Sequence, residues 1–224
     1  MATELIRRFK GEVTGSWNPI TGCLHGCVYC WARAYAVRLA GIGIEPYKSR
    51  GFQPSFVESR LRKTFAKDEF VFVSDMGDMW GKWVPEGWIR AVLNRIKSSK
   101  ATFFFLTKNP GRYHEFIYEI PHNSLLGATI ESNIDHGVTK APSVRDRYLA
   151  MKSLKYPYKS VVIEPILDFD EGFVDWIREI NPLTVFVGYD NYGNRLPEPS
   201  RKKTLELIKA LREFTHVSTS LHEP

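Results

Sequence analysis

Residues 70–73 read Phe70-Val71-Phe72-Val73 and residues 102–106 read Thr102-Phe103-Phe104-Phe105-Leu106, with Trp88, Ile89, Val92, Leu93 and Ile96 at helical spacing between them. The two short runs of β-branched and aromatic residues read as strands buried on both faces. The stretch between them, near 86–98, carries the 3.6-residue period of an amphipathic helix. A strand–helix–strand unit of this kind implies parallel strands joined by a right-handed crossover.

The alternation extends in both directions. Upstream, Glu12–Asn18 reads as an opening strand, followed by a cysteine-bearing loop and a helix near Tyr29–Ala40 that Gly41 and Gly43 close. Downstream come a helix over Pro110–Ile120, a strand over Leu125–Ile130, a helix over 142–154 and a strand over Ser160–Ile166. A helix over Asp170–Ile180 with Asp170 at its N-cap, a strand over Thr184–Gly188 and a helix over 199–214 complete the series. Six strands alternating with six helices predict an α/β fold, a six-stranded parallel partial TIM barrel (β/α)6, in one domain spanning 1–224. Residues 44–67, irregular, basic and aromatic with Pro46 and Pro54, read as an insertion over one end.

Parallel α/β barrels gather their chemistry at the C-terminal ends of the strands. Here Ser74, Asp75 and Asp78 follow the second strand, Thr107 and Lys108 the third, and Glu131, Ser132 and Asn133 the fourth. Glu164 stands near the end of the fifth, and Tyr189, Asp190 and Asn191 follow the sixth. Caps and turns also call for Ser, Asn and Asp in such loops. They do not call for Lys108 and Glu164, which apolar runs flank.

The 224 residues carry 31 Lys and Arg against 25 Asp and Glu, a formal charge of +6. The bases cluster. Residues 48–67 hold Lys48, Arg50, Arg60, Arg62, Lys63 and Lys67 against Glu58 alone, and 140–159 hold Lys140, Arg145, Arg147, Lys152, Lys155 and Lys159 against Asp146. Such clusters suit a polyanionic partner such as a nucleic acid, or simply solvated helix faces. A hydrophobic fraction of 43% is too high for disorder. No apolar run approaches the roughly 20 residues of a membrane span, and with no export signal read at Arg7-Arg8-Phe9 the expectation is a cytoplasmic protein.

The three cysteines fall within eight residues, as C-x3-C-x2-C: Cys23, Cys27 and Cys30. An odd number so close together is no disulfide framework. Soft thiolates at this spacing select zinc, Cu(I) or an iron–sulfur cluster. Zinc would take His25 as its fourth ligand, although zinc ligands usually come as two separated pairs. A cubane cluster held by three cysteines either finds a fourth ligand elsewhere or leaves one iron open, and an open position is what a catalytic metal site needs.

With its context, the motif resembles the radical S-adenosylmethionine (SAM) superfamily. The resemblance is nearer to a phage, bacterial and archaeal branch with Trp-Asn-Pro and Thr-Gly before the first cysteine, here Trp17-Asn18-Pro19 and Thr21-Gly22. That branch also shows strand ends like Val73-Ser74-Asp75-Met76, Leu106 to Pro110 and Glu164-Pro165-Ile166. At a distance it resembles DNA-lesion lyases of the spore photoproduct type. The resemblance implies a [4Fe–4S] cluster on Cys23, Cys27 and Cys30 whose open iron takes SAM. It implies reductive cleavage of SAM to a 5′-deoxyadenosyl radical, and an electron donor such as flavodoxin or ferredoxin. It also implies roles: Tyr29 beside the adenine, Asp75 or Ser74 toward the methionyl amine, Lys108 toward the methionyl carboxylate, Glu131 or Ser132 toward the ribose, and Glu164 toward SAM or substrate. The superfamily often ends its second strand in Gly-Gly-Glu, whereas this chain has Ser74 to Asp78 there.

No further cysteine exists to ligate an auxiliary cluster or donate hydrogen. Tyr189 and Tyr192 are therefore the candidates for returning a hydrogen atom. The expected substrate is a nucleic acid, modified or repaired. A peptide or small metabolite, or a non-catalytic metal-stabilised nucleic-acid binder, are the alternatives.

Overall fold

The computed structural model describes residues 2–221. Its elements run α1 (Ala2–Phe9), β1 (Gly15–Trp17), β2 (Ile20–Thr21), α2 (Trp31–Gly41), α3 (Tyr47–Arg50), β3 (Ser55–Phe56), β4 (Phe70–Val73) and α4 (Glu86–Ile96). They continue with β5 (Thr102–Thr107), β6 (Ser124–Thr129), α5 (Val144–Ser153), β7 (Lys159–Ile163), α6 (Phe173–Ile180), β8 (Thr184–Gly188), α7 (Arg201–Arg212) and β9 (His216–Ser220). Glu58–Arg62 and Pro110–Phe116 are 3-10 turns.

The sheet has seven parallel strands where six were expected, in the order β1-β4-β5-β6-β7-β8-β9, and it curls into a half-barrel. The seventh is β9, whose Thr184↔His216 to Gly188↔Ser220 register extends the sheet beyond β8. Its sequence, His216-Val217-Ser218-Thr219-Ser220, buries only Val217. It is an edge strand with little apolar content, which is why periodicity does not reveal it. Pro110–Phe116 is a 3-10 turn opened by Pro110, and 117–119 continue as turn, where an α-helix over Pro110–Ile120 was expected. Asp170 is not an N-cap. The cap of α6 is Gly172, and Asp170 accepts the Gly172 N–H at 2.9 Å, closing the turn before the helix.

Alternation along the strands divides the interior in two. Val71, Val73, Phe103, Phe105, Leu126, Ala128, Val161 and Ile163 face the helices and form the main core with Ile89, Val92, Phe116, Met151, Ile177 and Leu207. Phe70, Phe104, Leu125 and Val162 face the concave side, with Phe72, Leu106 and Phe186 beside them. There they meet α1, whose Phe9 sits 5.8 Å from the Phe70 ring and 5.1 Å from that of Tyr158. The helix closes the N-terminal end of the half-barrel. Gly127 makes room on the concave side, since a Cβ there would lie 2.7 Å from the Phe104 ring.

The 44–67 segment is tied down by a two-residue ladder, Ile20↔Phe56 and Thr21↔Ser55. It is anchored again where Trp17 Nε1 donates to the Arg60 carbonyl at 2.8 Å and Arg60 donates to the Asn18 carbonyl at 2.7 Å. The cysteine loop crosses the β4 exit at Gly22 and Gly77. A Cβ on Gly77 would lie 2.7 Å from backbone atoms of Gly22, and Gly22 itself has φ +80°. Two glycines therefore permit a backbone crossing that any side chain would block.

Candidate active site

The C-terminal strand ends surround a cavity of about 490 Å³ whose wall includes all three cysteines. Opposite them stand Lys108 at the β5 exit, Glu164 and Pro165 at the β7 exit, and Tyr189 to Tyr192 after β8. Phe72, Leu106 and Val162 line the cavity and also belong to the cluster that Phe9 completes, so they form its floor.

The cysteine loop is held from three sides. His25 is buried and its Nε2 lies 2.8 Å from Asp78 Oδ2. Its ring also meets Trp83 edge-on at 4.7 Å. Asp78 further accepts from Thr107 Oγ1 at 2.8 Å, the Lys108 N–H at 3.1 Å and the Trp80 N–H at 2.9 Å. One buried carboxylate thus couples the cysteine loop to the exits of β4 and β5. From the far side, Lys140 N–H and Thr139 Oγ1 donate to the His25 carbonyl at 2.7 and 3.1 Å, and Val28 N–H donates to the Val138 carbonyl at 3.0 Å. At the third contact Asn18 bonds both Asp75 Oδ1, at 2.5 Å, and the Met76 N–H, at 2.9 Å.

The donor set fits an iron–sulfur cluster. Cys23 Sγ and Cys30 Sγ accept the backbone N–H groups of His25 and Arg33, each at 3.4 Å, and Cys27 Sγ lies 3.2 Å from Thr139 Oγ1. Hydrogen bonds to the sulfurs are among the features that tune such clusters. Cys30 is also the N-cap of α2, so its sulfur stands at the N-terminal end of that helix. Burial, and then the nearby Asp78 charge, push the Cys23 thiol well above its ordinary range. A bound cation is what would offset both effects. Among the described residues no three His, Cys, Asp or Glu side chains are gathered for a single metal ion.

Behind Tyr29 lies a second buried network. Glu131 is 1% exposed; it accepts from Arg147 at 2.7 Å and from the Tyr29 hydroxyl, and lies 3.4 Å from Lys108 Nζ. Lys108 Nζ also stands 5.2 Å over the Tyr29 ring. Burial alone raises the Glu131 pKa, but Arg147, Lys108 and the Tyr29 hydrogen bond outweigh it and hold the carboxyl below its ordinary range. Tyr29 is pushed far up, first by burial and then by the Glu131 charge, so its hydroxyl stays protonated.

The residues singled out in the sequence therefore separate. Cys23, Cys27, Cys30, Tyr29, Asp75, Lys108, Glu164, Tyr189 and Tyr192 share the cavity wall. Ser74, Glu131 and Ser132 do not line it. Ser74 is buried with φ 59° and an unpartnered hydroxyl, and Ser132 donates to the Asp168 carbonyl at 2.5 Å. Asp75 spends its second oxygen on Ser16 at 2.7 Å, and the Tyr189 hydroxyl donates to Thr204 at 2.7 Å. Tyr192 is 63% exposed at the mouth. Sequence reading passed over Arg147, counted there among surface bases. It is fully buried, and Lys159 of the same stretch is buried too. A basic residue inside an amphipathic helix carries no mark of which side it faces.

A family model described as "Protein of unknown function (DUF5131)" matches residues 12–177. The chain belongs to this family. The DUF5131 match takes in the cysteine loop, the Asp78 hub and the Glu131–Arg147 pair. In fold, this DUF5131 protein is similar to spore photoproduct lyase. One variant of that lyase superposes with a TM-score of 0.60 at 14% identity, over 98% of this chain and 86% of the other. A variant with bound AdoMet and a dinucleoside spore photoproduct gives 0.59 at 12% identity, over 96% and 84%. A third, with the dinucleoside spore photoproduct, gives 0.59 at 11%, over 90% and 75%. At these identities the likeness is one of fold. No curated protein matches the chain in sequence. Among the described residues no helix is long and apolar enough to cross a membrane.

Proposed function

We propose that this protein is a radical SAM enzyme acting on a nucleic acid. The observation that carries the reading is the convergence of three cysteine thiols on one wall of a strand-end cavity, with Lys108, Glu164 and two tyrosines around the rest of it. Cys23, Cys27 and Cys30 would hold a [4Fe–4S] cluster. When bound, a cluster with one open iron supplies the electron that cleaves the sulfonium of SAM and starts radical chemistry.

This chain's own residues bind, orient and exclude water. Lys108 brings a positive charge to the cavity wall, suited to a carboxylate as a point charge. Glu131 fixes Tyr29 and Lys108 relative to one another from behind the wall. Phe72, Leu106 and Val162 keep the floor dry. Glu164 brings a carboxylate to the rim, toward an amine or substrate, whereas both Asp75 oxygens are engaged by Asn18 and Ser16. Tyr192, exposed at the mouth, is placed to meet substrate and is the better tyrosine for hydrogen return, because the Tyr189 hydroxyl is engaged with Thr204. The nucleic-acid part of the reading is supported by the +6 charge, the basic 48–67 segment and the fold shared with a lyase whose bound ligand is a dinucleoside lesion. An electron donor of the flavodoxin or ferredoxin type belongs to the same reading.

The test is anaerobic reconstitution with iron and sulfide, then SAM and dithionite. The expected outcome is a broad visible absorbance that SAM perturbs, with formation of 5′-deoxyadenosine. Cys27→Ala is expected to lose both. Stoichiometric zinc in place of the cluster, or a cluster spectrum that SAM leaves unchanged, overturns the reading.

A further inference from the structure

One turn along α2 from the cavity rim lies a second recess, of about 460 Å³, whose wall includes Asn18, Tyr35, Ile44, Tyr47, Arg60 and Lys63. Trp31 lines the first cavity and Tyr35 the second. The two rings are i and i+4 neighbours on one helix face, with centroids 6.5 Å apart. Both are exposed, 41% and 43%, and Arg38 continues the stripe with its guanidinium 5.9 Å over the Tyr35 ring. An aromatic ridge thus leads from the cysteine cavity to the second recess.

The charge around this ridge is one-sided. From residue 31 to residue 63 the bases are Arg33, Arg38, Lys48, Arg50, Arg60, Arg62 and Lys63, and the acids Glu45 and Glu58. Among the described residues neither Arg60 nor Lys63 forms an ion pair. They donate instead to the Asn18 carbonyl at 2.7 Å and the Ser16 carbonyl at 3.1 Å. Those bonds aim the two cations without a carboxylate partner, with Lys63 Nζ also 5.6 Å over the Phe65 ring and Asp75 held beyond Ser16 and Asn18. Exposed aromatics in a row, beside aimed and unpaired cations, are what a single-stranded polynucleotide requires: rings for the base faces and positive charge for the backbone. A duplex hides its base faces and gains nothing from the ridge.

We propose that the second recess is a nucleotide subsite. It takes the unit of a single-stranded polynucleotide that neighbours the one at the cysteine cavity, with the base against Tyr35 and Ile44 and the phosphate toward Lys63 and Arg60. The inference rests on the nucleic-acid part of the proposed function and adds to it the strandedness and the path of the polymer across α2.

The experiment is fluorescence anisotropy of anaerobically reconstituted protein with labelled ten-residue single-stranded DNA, the same sequence as RNA, and the DNA as duplex. Polyglutamate serves as a competing polyanion. The wild type is expected to favour one or both single strands over the duplex and to resist polyglutamate. Tyr35→Ala is expected to weaken single-strand binding roughly tenfold, and Lys63→Gln to lower the salt dependence by about one counterion. Tyr118→Ala removes a fully exposed aromatic outside both recesses and should change nothing. Wild-type binding that Tyr35→Ala and Lys63→Gln leave intact overturns the subsite alone. Preference for duplex, or displacement by polyglutamate at equal charge, also overturns it. Absence of any binding by wild type overturns the nucleic-acid reading together with the subsite.

Discussion

A carboxylate withdrawn from water must find its counter-charges on the spot, and Glu131 finds them in Arg147 and Lys108, with the Tyr29 hydroxyl as a further donor. Removing one member of such a buried pair leaves the other uncompensated, which costs about 3–5 kcal/mol. Glu131→Leu is therefore expected to lower the thermal midpoint strongly, and Glu131→Gln less, because the amide still accepts from one donor. Calorimetry or thermal circular dichroism reads both. The same residue sets an acid limb. Its folded pKa lies below the ordinary 4.5, so its contribution is complete above about pH 4.5 and is lost as pH falls through the depressed value. Urea midpoints between pH 5 and 3 are expected to fall more steeply for wild type than for Glu131→Gln. Equal slopes would show that the carboxylate contributes no such term. Little of this was legible beforehand. The sequence marks Glu131 and Asp78 as polar residues after strands, but Asp78 draws its partners from positions 29 and 53 residues away. Only the fold brings them together.

Among the elements, the crossing of the cysteine loop over the β4 exit has the least tolerance. Its two backbones touch through Gly22 and Gly77. Gly77→Ala is expected to displace the cysteine loop while leaving the sheet intact. The signature is a lowered iron content per chain at unchanged far-ultraviolet circular dichroism, and full iron loading would contradict it. The strands with continuous apolar runs are the most legible. β4 and β8 have the bounds their composition predicts, β5 differs by one position at one end and β6 by one at each. β7 stops at Ile163, three residues before its expected end, because the chain leaves the sheet ahead of Glu164 and Pro165. Elements held by something other than apolar periodicity are not. The ladder between β2 and β3 spans two residues per strand, and β9 is polar. The turn over Pro110–Phe116 looks helical because Tyr113, Phe116 and Ile120 recur three or four apart, and they are indeed buried, but without α-helical backbone.

At the scale of the whole molecule, the half-barrel needs a lid on its N-terminal end, because a curled sheet exposes concave aromatic surface that no crossover helix reaches. The first helix supplies it. Phe9→Ala removes a ring that is 2% exposed and should cost about 3–5 kcal/mol. Denaturant midpoints would register the loss, and a change under 1 kcal/mol would mean that α1 is a bystander. This lid is not legible in the sequence, since Ala2–Phe9 is only about two turns long and the helical spacing of Leu5, Ile6 and Phe9 is too brief to stand out. Six of the seven strands behind it are legible, because buried parallel strands leave so plain a mark, and the polar β9 is not. With Phe9 and its neighbours packed beneath Phe72, Leu106 and Val162, the space beside the cysteines is closed from below among the described residues. A ligand resting on those three side chains would have no way out through α1 and would leave on the side of the strand ends, where Tyr192 is exposed.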